Sequence, residues 1–272
     1  HALSTSQDTT TTTGAVPVGR LDWSDCDGAD CATLDVPLDY SKPKGKTFTI
    51  GILRRPATDP SKRVGAIFVN PGGPGGSATD LASYLPFPKD ITERFDIVGV
   101  DPRGVARSSK LECDSHLQDI YDADPTMDDQ ADIDHYTKVS QEFVDECEQK
   151  YGEVLPFLGT EAIARDMDAV RAAMGDDQLT YVGYSYGTSI GQTYARIFPT
   201  HVRAMVIDGV VDLSESGLES AAGQAEGFTG ALDAFIASCD SSGCGLDGPA
   251  GDIIDRVTAK SEAAPIPAPG AD

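Results

Sequence analysis

Gly183-Tyr184-Ser185-Tyr186-Gly187 sets a serine between two glycines, with one residue on either side. A serine hydroxyl attacks a carbonyl only when it is held clear of other side chains and beside a base. Glycines at both flanks permit a turn too tight for side chains there, which lifts Oγ into the open. Ser185 is thus a candidate nucleophile, and a glycine-rich turn without chemistry is the alternative. A second run, Asn70-Pro71-Gly72-Gly73-Pro74-Gly75-Gly76, leaves backbone N–H groups uncovered by side chains. Such groups can approach a substrate oxygen and stabilise negative charge that develops on it. A phosphate cradle is the competing use of a glycine loop, but no Gly-Lys-Ser/Thr follows these glycines.

A serine nucleophile needs a base, and the chain holds four histidines, His1, His116, His135 and His201. Only His201 follows Ser185. It stands at the start of an expected strand, 202–207, whereas active sites on parallel sheets form at the carboxyl ends of the strands. All four histidines are expected on the surface. Asp208 closes that same strand and is the nearest candidate acid.

The elements that must position these groups follow from hydrophobic patterning. Residues 47–53 alternate, with Phe48, Ile50 and Ile52 on one face, as a half-buried strand does. Residues 64–69 and 95–100 are short apolar runs suited to buried parallel strands, and 179–182 and 202–207 are further strands. Thr160 is expected to cap a helix over 160–175, with Ile163, Met167, Val170 and Met174 as its apolar stripe and Gly175 as its stop. A second helix is expected over 186–198. Strands alternating with helices imply an α/β fold, a mostly parallel sheet with helices on both faces. The glycine run then follows one strand directly, and Ser185 sits where another strand turns into a helix.

Two regions break the alternation. Residues 111–158 are rich in Asp and Glu and carry an expected helix over 133–150, an insertion over the sheet. Beyond residue 212 the strands stop, and 217–238 patterns as a helix. Residues 1–20 are Thr-rich without apolar periodicity and are expected to be a disordered leader.

The formal charge of −23 excludes a nucleic-acid partner, because phosphate backbones select for Lys and Arg. No stretch reaches the roughly 18–20 apolar residues of a membrane span. Six cysteines fall into two short local pairs, Cys26 with Cys31 and Cys239 with Cys244, leaving Cys113 with Cys147. Spacing suggests these three bridges without excluding other connectivities. Bridged cysteines imply an oxidising compartment, so the protein is expected outside the cytoplasm, with a signal peptide removed. Seven aspartates (Asp119, Asp122, Asp124, Asp128, Asp129, Asp132 and Asp134) crowd one stretch of the insertion. Their field could attract a cationic substrate, although a solvated acidic surface is the simpler explanation.

Four segments carry a family resemblance: Leu34-Asp35-Val36-Pro37-Leu38-Asp39-Tyr40, residues 70–77, Phe95-Asp96-Ile97-Val98-Gly99-Val100-Asp101-Pro102-Arg103-Gly104, and residues 183–188. In this order, across residues 21–212, the chain resembles the secreted tripeptidyl aminopeptidases of actinobacteria, a proline-iminopeptidase-like branch of the α/β-hydrolases. One departure is Ala106, where the family usually has glycine. The resemblance implies an α/β-hydrolase fold and hydrolysis of a peptide or ester through an acyl-enzyme, with no cofactor. It makes Ser185 the nucleophile and the N–H groups of Gly73 (Gly72 being the alternative) and Tyr186 the oxyanion hole. It also implies that residues 213–272 begin a helical cap. The last strands, with the catalytic Asp and His, would then lie on a C-terminal segment outside these 272 residues. A carboxylesterase on the same apparatus, or a non-catalytic binding protein on a hydrolase fold, remain as alternatives.

Overall fold

The computed structural model describes residues 21–263 apart from 114, 124, 125 and 128. The expected leader lies outside the described residues, as do Asp124 and Asp128. The strands are β1 (Ser24–Cys26), β2 (Ala29–Pro37), β3 (Thr47–Arg55), β4 (Gly65–Asn70), β5 (Phe95–Val100), β6 (Leu179–Tyr184) and β7 (Val202–Asp208). The helices are α1 (Ala78–Tyr84), the single turn α2 (Lys89–Thr92), α3 (Leu117–Asp122), α4 (Gln130–Tyr151), α5 (Thr160–Ala173), α6 (Tyr186–Ile197), α7 (Gly217–Ser242) and α8 (Ala250–Ala263).

All seven strands form one sheet in the order β1-β2-β3-β5-β4-β6-β7. β5, β4, β6 and β7 run parallel, and β1, β2 and β3 join antiparallel on the β5 side. The hairpin of β1 and β2 is absent from the sequence expectation. Its outer part is polar and half-exposed, and the apolar alternation is confined to Ala32, Leu34 and Val36 in the inner half of β2. Val64 lies outside β4, at 47% exposure, whereas Asn70 belongs to it.

Side chains alternate across the sheet and build two cores. Ala66 and Phe68 of β4 join Ile50, Val98, Met167, Val170, Tyr181 and Ile190 under α5 and α6. Ile67 and Val69 join Leu53, Ile97, Leu81 and Ala82 under α1. Helices therefore cover both faces, as the alternating pattern requires. α5 differs from expectation at its start. Its N-cap is Gly159, and Thr160 is the first helical residue.

Two buried charged groups hold the turn that follows β5. Asp101 is fully buried. It accepts from the Thr79 N–H (2.9 Å) and hydroxyl (2.8 Å), the Ser77 hydroxyl (3.0 Å) and the Arg107 N–H (3.0 Å). Four donors offset the cost of taking a carboxylate out of water. Arg103 makes a two-pronged pair with Asp166 (2.6 and 2.8 Å) and donates to the carbonyls of Pro37 and Leu38 (2.7 and 2.6 Å). The turn is thereby tied to α1, to the end of β2 and to α5.

The insertion contains α3 and α4, longer at both ends than the expected helix, and Cys113–Cys147 ties its entry to α4. Cys26–Cys31 closes the β1–β2 hairpin. The chain divides after Val211, and residues 212–272 form a second unit. Within that unit a capping box of Ser216 and Glu219 opens α7, which runs past the expected end to Ser242. Cys239–Cys244 closes the turn after it. Asp240 accepts the N–H of Ala250 (2.7 Å) where α8 begins. No helix among the described residues is long and apolar enough to cross a membrane.

Ala106 adopts φ 43°, in the left-handed region that favours glycine. The family's glycine at this position thus has a backbone reason. Ala106→Gly should relieve about 1–2 kcal/mol of steric cost while adding about 0.5–1 kcal/mol of unfolded-chain entropy. The expected outcome in urea melts is a net stabilisation of about 0.5–1 kcal/mol. A lower midpoint would contradict that account.

Candidate active site

β4 and β6 pair in parallel with Asn70 opposite Gly183, so both strands end level. From β4 the chain continues to β5 on one side, and β6 lies on the other. Loops leaving neighbouring strands at such a switch point open a crevice at their carboxyl ends. The glycine run and the Ser185 turn emerge there, side by side.

Ser185 is exposed, between β6 and α6, with φ 52° and ψ −123°. Few non-glycine residues hold such a conformation, and it persists only where surroundings enforce it. Its N–H donates to the Asp208 carbonyl (2.9 Å), and its own carbonyl accepts the Thr188 N–H (2.8 Å). Behind it, α6 points its N-terminus at the turn, and the helix dipole favours negative charge there.

Gly72, at φ +90°, packs directly on this turn. A Cβ at Gly72 would lie 2.4 Å from the Tyr184 carbonyl oxygen, 2.8 Å from the Tyr186 nitrogen and 2.9 Å from Ser185 Cβ. The loop and the first turn of α6 are therefore in contact, and only glycine fits between them. The Gly72 N–H is already taken by Asn70 Oδ1 (2.9 Å). The N–H of Gly73 makes no hydrogen bond among the described residues. The N–H of Tyr186 opens α6, where the first N–H groups have no carbonyl within the helix. Gly73 and Tyr186, each one residue from the contact between Gly72 and the Ser185 turn, thus carry donors of the kind that can stabilise a tetrahedral oxyanion.

Tyr186 is anchored through its side chain, whose hydroxyl meets Thr160 Oγ1 at 2.7 Å. The Thr160 hydroxyl expected to cap α5 is engaged here instead. In the same turn Tyr181 donates to the Gly187 carbonyl (2.8 Å).

His201 lies elsewhere. His201 ends a turn just before β7, at the opposite edge of the sheet from Ser185. Seven residues of strand separate the two edges, about 20 Å. His201 is not the bare surface residue expected. Its Nδ1 meets Asp168 Oδ1 at 2.7 Å and Arg171 Nη2 at 3.2 Å, and its ring stacks on Phe198. Burial pushes the Asp168 carboxyl up, but hydrogen bonds from Arg171, His201 and Tyr194 outweigh it and hold the group below its ordinary value. His116 contacts Asp119 (3.3 Å) in the insertion, and His135 is exposed on α4. Asp208 stands beside the turn, opposite Tyr184. In the acidic run, Asp129 caps α4 through the N–H groups of Ala131 and Asp132, and Asp122 and Asp134 accept from Gln118 and Gln130. No three His, Cys, Asp or Glu side chains among the described residues are grouped to hold a metal.

Comparison with known proteins agrees with this architecture. The α/β-hydrolase fold model matches residues 65–248. Serine protease Hip1 of Mycobacterium tuberculosis is 43% identical over 226 residues, covering 80% of this chain and 43% of that protein. The tripeptidyl aminopeptidase of Streptomyces lividans is 39% identical over 215 residues, covering 71% and 39%. Carboxylesterase B of Mycobacterium tuberculosis is 41% identical over 228 residues, covering 81% and 44%. The chain thus spans less than half the length of these relatives. A serine on a strained strand-to-helix turn, a glycine loop packed against it and these matches lead to one conclusion: the chain belongs to the α/β-hydrolase family.

Proposed function

We propose that the protein is a secreted serine hydrolase in which Ser185 attacks the substrate carbonyl and the N–H groups of Gly73 and Tyr186 receive the oxyanion. The observation that carries this reading is the Ser185 turn, held at φ 52° with Gly72 packed on it. A glycine would hold this conformation at less cost, so a serine that is strained and exposed here supports a role for its Oγ. Gly73 is preferred to Gly72 because Asn70 already occupies the Gly72 N–H. Three bridged cysteine pairs support an extracellular location.

The base and the acid are proposed to come from a C-terminal segment beyond residue 272. His201, the histidine that follows Ser185 in this sequence, lies before β7 at the far edge of the sheet, and the relatives are more than twice as long as the matched region. Such a segment has a place to enter, since β7 pairs only with β6 among the described residues and Val206 is 59% exposed. Asp208 is the alternative acid.

For substrate, we propose short peptides cleaved from a free N-terminus, in keeping with the aminopeptidase relative. The carboxylesterase relative supports a second reading on the same apparatus, because fold and nucleophile do not determine the leaving group. Turnover of a tripeptide anilide against a short acyl ester separates the two. Steering of a free α-ammonium by the acidic insertion would appear as a steeper salt dependence for a free-amine peptide than for its N-acetyl form.

Ser185→Ala in the full-length enzyme should lower kcat/KM by at least ~10⁴-fold, abolish fluorophosphonate labelling and leave the melting curve in place. Labelling that persists in this variant would remove Ser185 from the mechanism. His201→Gln should instead lower stability, since Asp168 loses a partner, while keeping kcat within about twofold. A collapse of kcat in that variant, at unchanged folding, would make His201 the base. Residues 1–272 alone are expected to retain at most the ~10³–10⁴-fold acceleration over water that an oxyanion hole and binding provide. Full activity in that fragment would refute the proposed C-terminal source of the base.

A further inference from the structure

Asn70 has entered so far only as the acceptor of the Gly72 N–H, yet it touches both halves of the crevice. It ends β4, is 3% exposed, and stands opposite Gly183 in the β4–β6 pairing. Its Oδ1 takes the Gly72 N–H at 2.9 Å. On its other side lies the first turn of α6. A Cβ at Gly187 would be 2.9 Å from the Asn70 carbonyl oxygen and 3.0 Å from Asn70 Oδ1. One buried amide therefore braces the loop that carries Gly73 and abuts the turn that carries Tyr186.

We propose that Asn70 is a positioning residue for hydrolysis, acting through the Gly72 N–H to hold the Gly73 and Tyr186 donors at a common point; this rests on the serine-hydrolase reading above. Three arguments support it. A glycine-rich loop has little conformational preference of its own, so a side-chain acceptor must select one geometry. By occupying Gly72, Asn70 leaves Gly73 as the next unused donor along the loop. The acceptor is also neutral. A carboxylate in the same place would set a negative charge beside a developing oxyanion, which low-dielectric surroundings make costly.

Preorganised donors act on the transition state far more than on the bound substrate. A loosened loop should therefore lower kcat and leave KM in place. The test uses the full-length enzyme, with active sites counted by end-point fluorophosphonate labelling. Asn70→Ala should lose ~10–100-fold in kcat per labelled site, with KM within about twofold. The Ki of a peptidyl boronate, which mimics the tetrahedral state, should rise by the same factor. Asn70→Ser, whose hydroxyl can take the Gly72 N–H more weakly, should fall between the two. If Asn70→Ala does not fold, Asn70→Ser carries the test alone, with an expected ~3–10-fold loss in kcat and a matching rise in boronate Ki.

A purely structural role would lower the melting temperature and the labelled fraction but leave kcat per labelled site and boronate Ki unchanged. That result overturns the proposal. So does a loss confined to KM, or an Asn70→Ser variant no better than Asn70→Ala. If the wild-type enzyme shows no fluorophosphonate labelling at Ser185, the hydrolase reading itself fails and the role of Asn70 falls with it.

Discussion

The pairing of β4 with β6 is the constraint on which the crevice depends. Parallel hydrogen bonding with Asn70 opposite Gly183 brings two strand ends level, and the two turns that follow must then share one small volume. They can share it only because Gly72 has no side chain, as the 2.4 Å approach of its missing Cβ to the Tyr184 carbonyl makes plain. Register is defended by the cores on both faces. A slip of one residue would carry Phe68 to the α1 side and Ile67 to the α5–α6 side, exchanging two packed layers. Hydrophobic burial well away from Ser185 is thus what sets the geometry at Ser185.

Polar groups then refine what the cores have placed. Asp101 and Arg103 are buried charges with partners on almost every side, and they fasten the turn after β5 to α1, β2 and α5. Such groups contribute little net stability by themselves, yet removing a partner leaves an uncompensated charge in low dielectric. Thr160 and Tyr181 tether the first turn of α6 from two directions. The Ser185 turn is thereby held in a conformation it would not keep alone.

The pair formed by Asp168 and His201 shows why residue chemistry is a weak guide without place. An imidazole 2.7 Å from a carboxylate has the contacts of an orienting acid and a base. Here the pair closes the far edge of the sheet, joined by Arg171 and Tyr194, and works as a clasp between α5, the end of α6 and the start of β7. The same Asp–His pair one strand length away would stand beside a serine able to use it.

By itself, the sequence determined the α/β class, five of the seven strands, the elbow around Ser185 and the glycine loop, and it suggested the two local cysteine pairs, with Cys113 and Cys147 left over. These are legible because each rests on local physics: an apolar period, a glycine flanking a tight turn, or two cysteines a few residues apart. Only the tertiary structure decided the rest. The β1–β2 hairpin is polar at its outer end and carries little pattern, so its pairing comes from β3. Thr160 has the composition of a cap, yet its hydroxyl is claimed by Tyr186, 26 residues away. His201 gains partners from α5 that no local window contains. Spacing along a chain encodes what short-range sterics and periodicity dictate; which distant segments meet, as α6 meets α5 through Tyr186 and Thr160, is decided by packing.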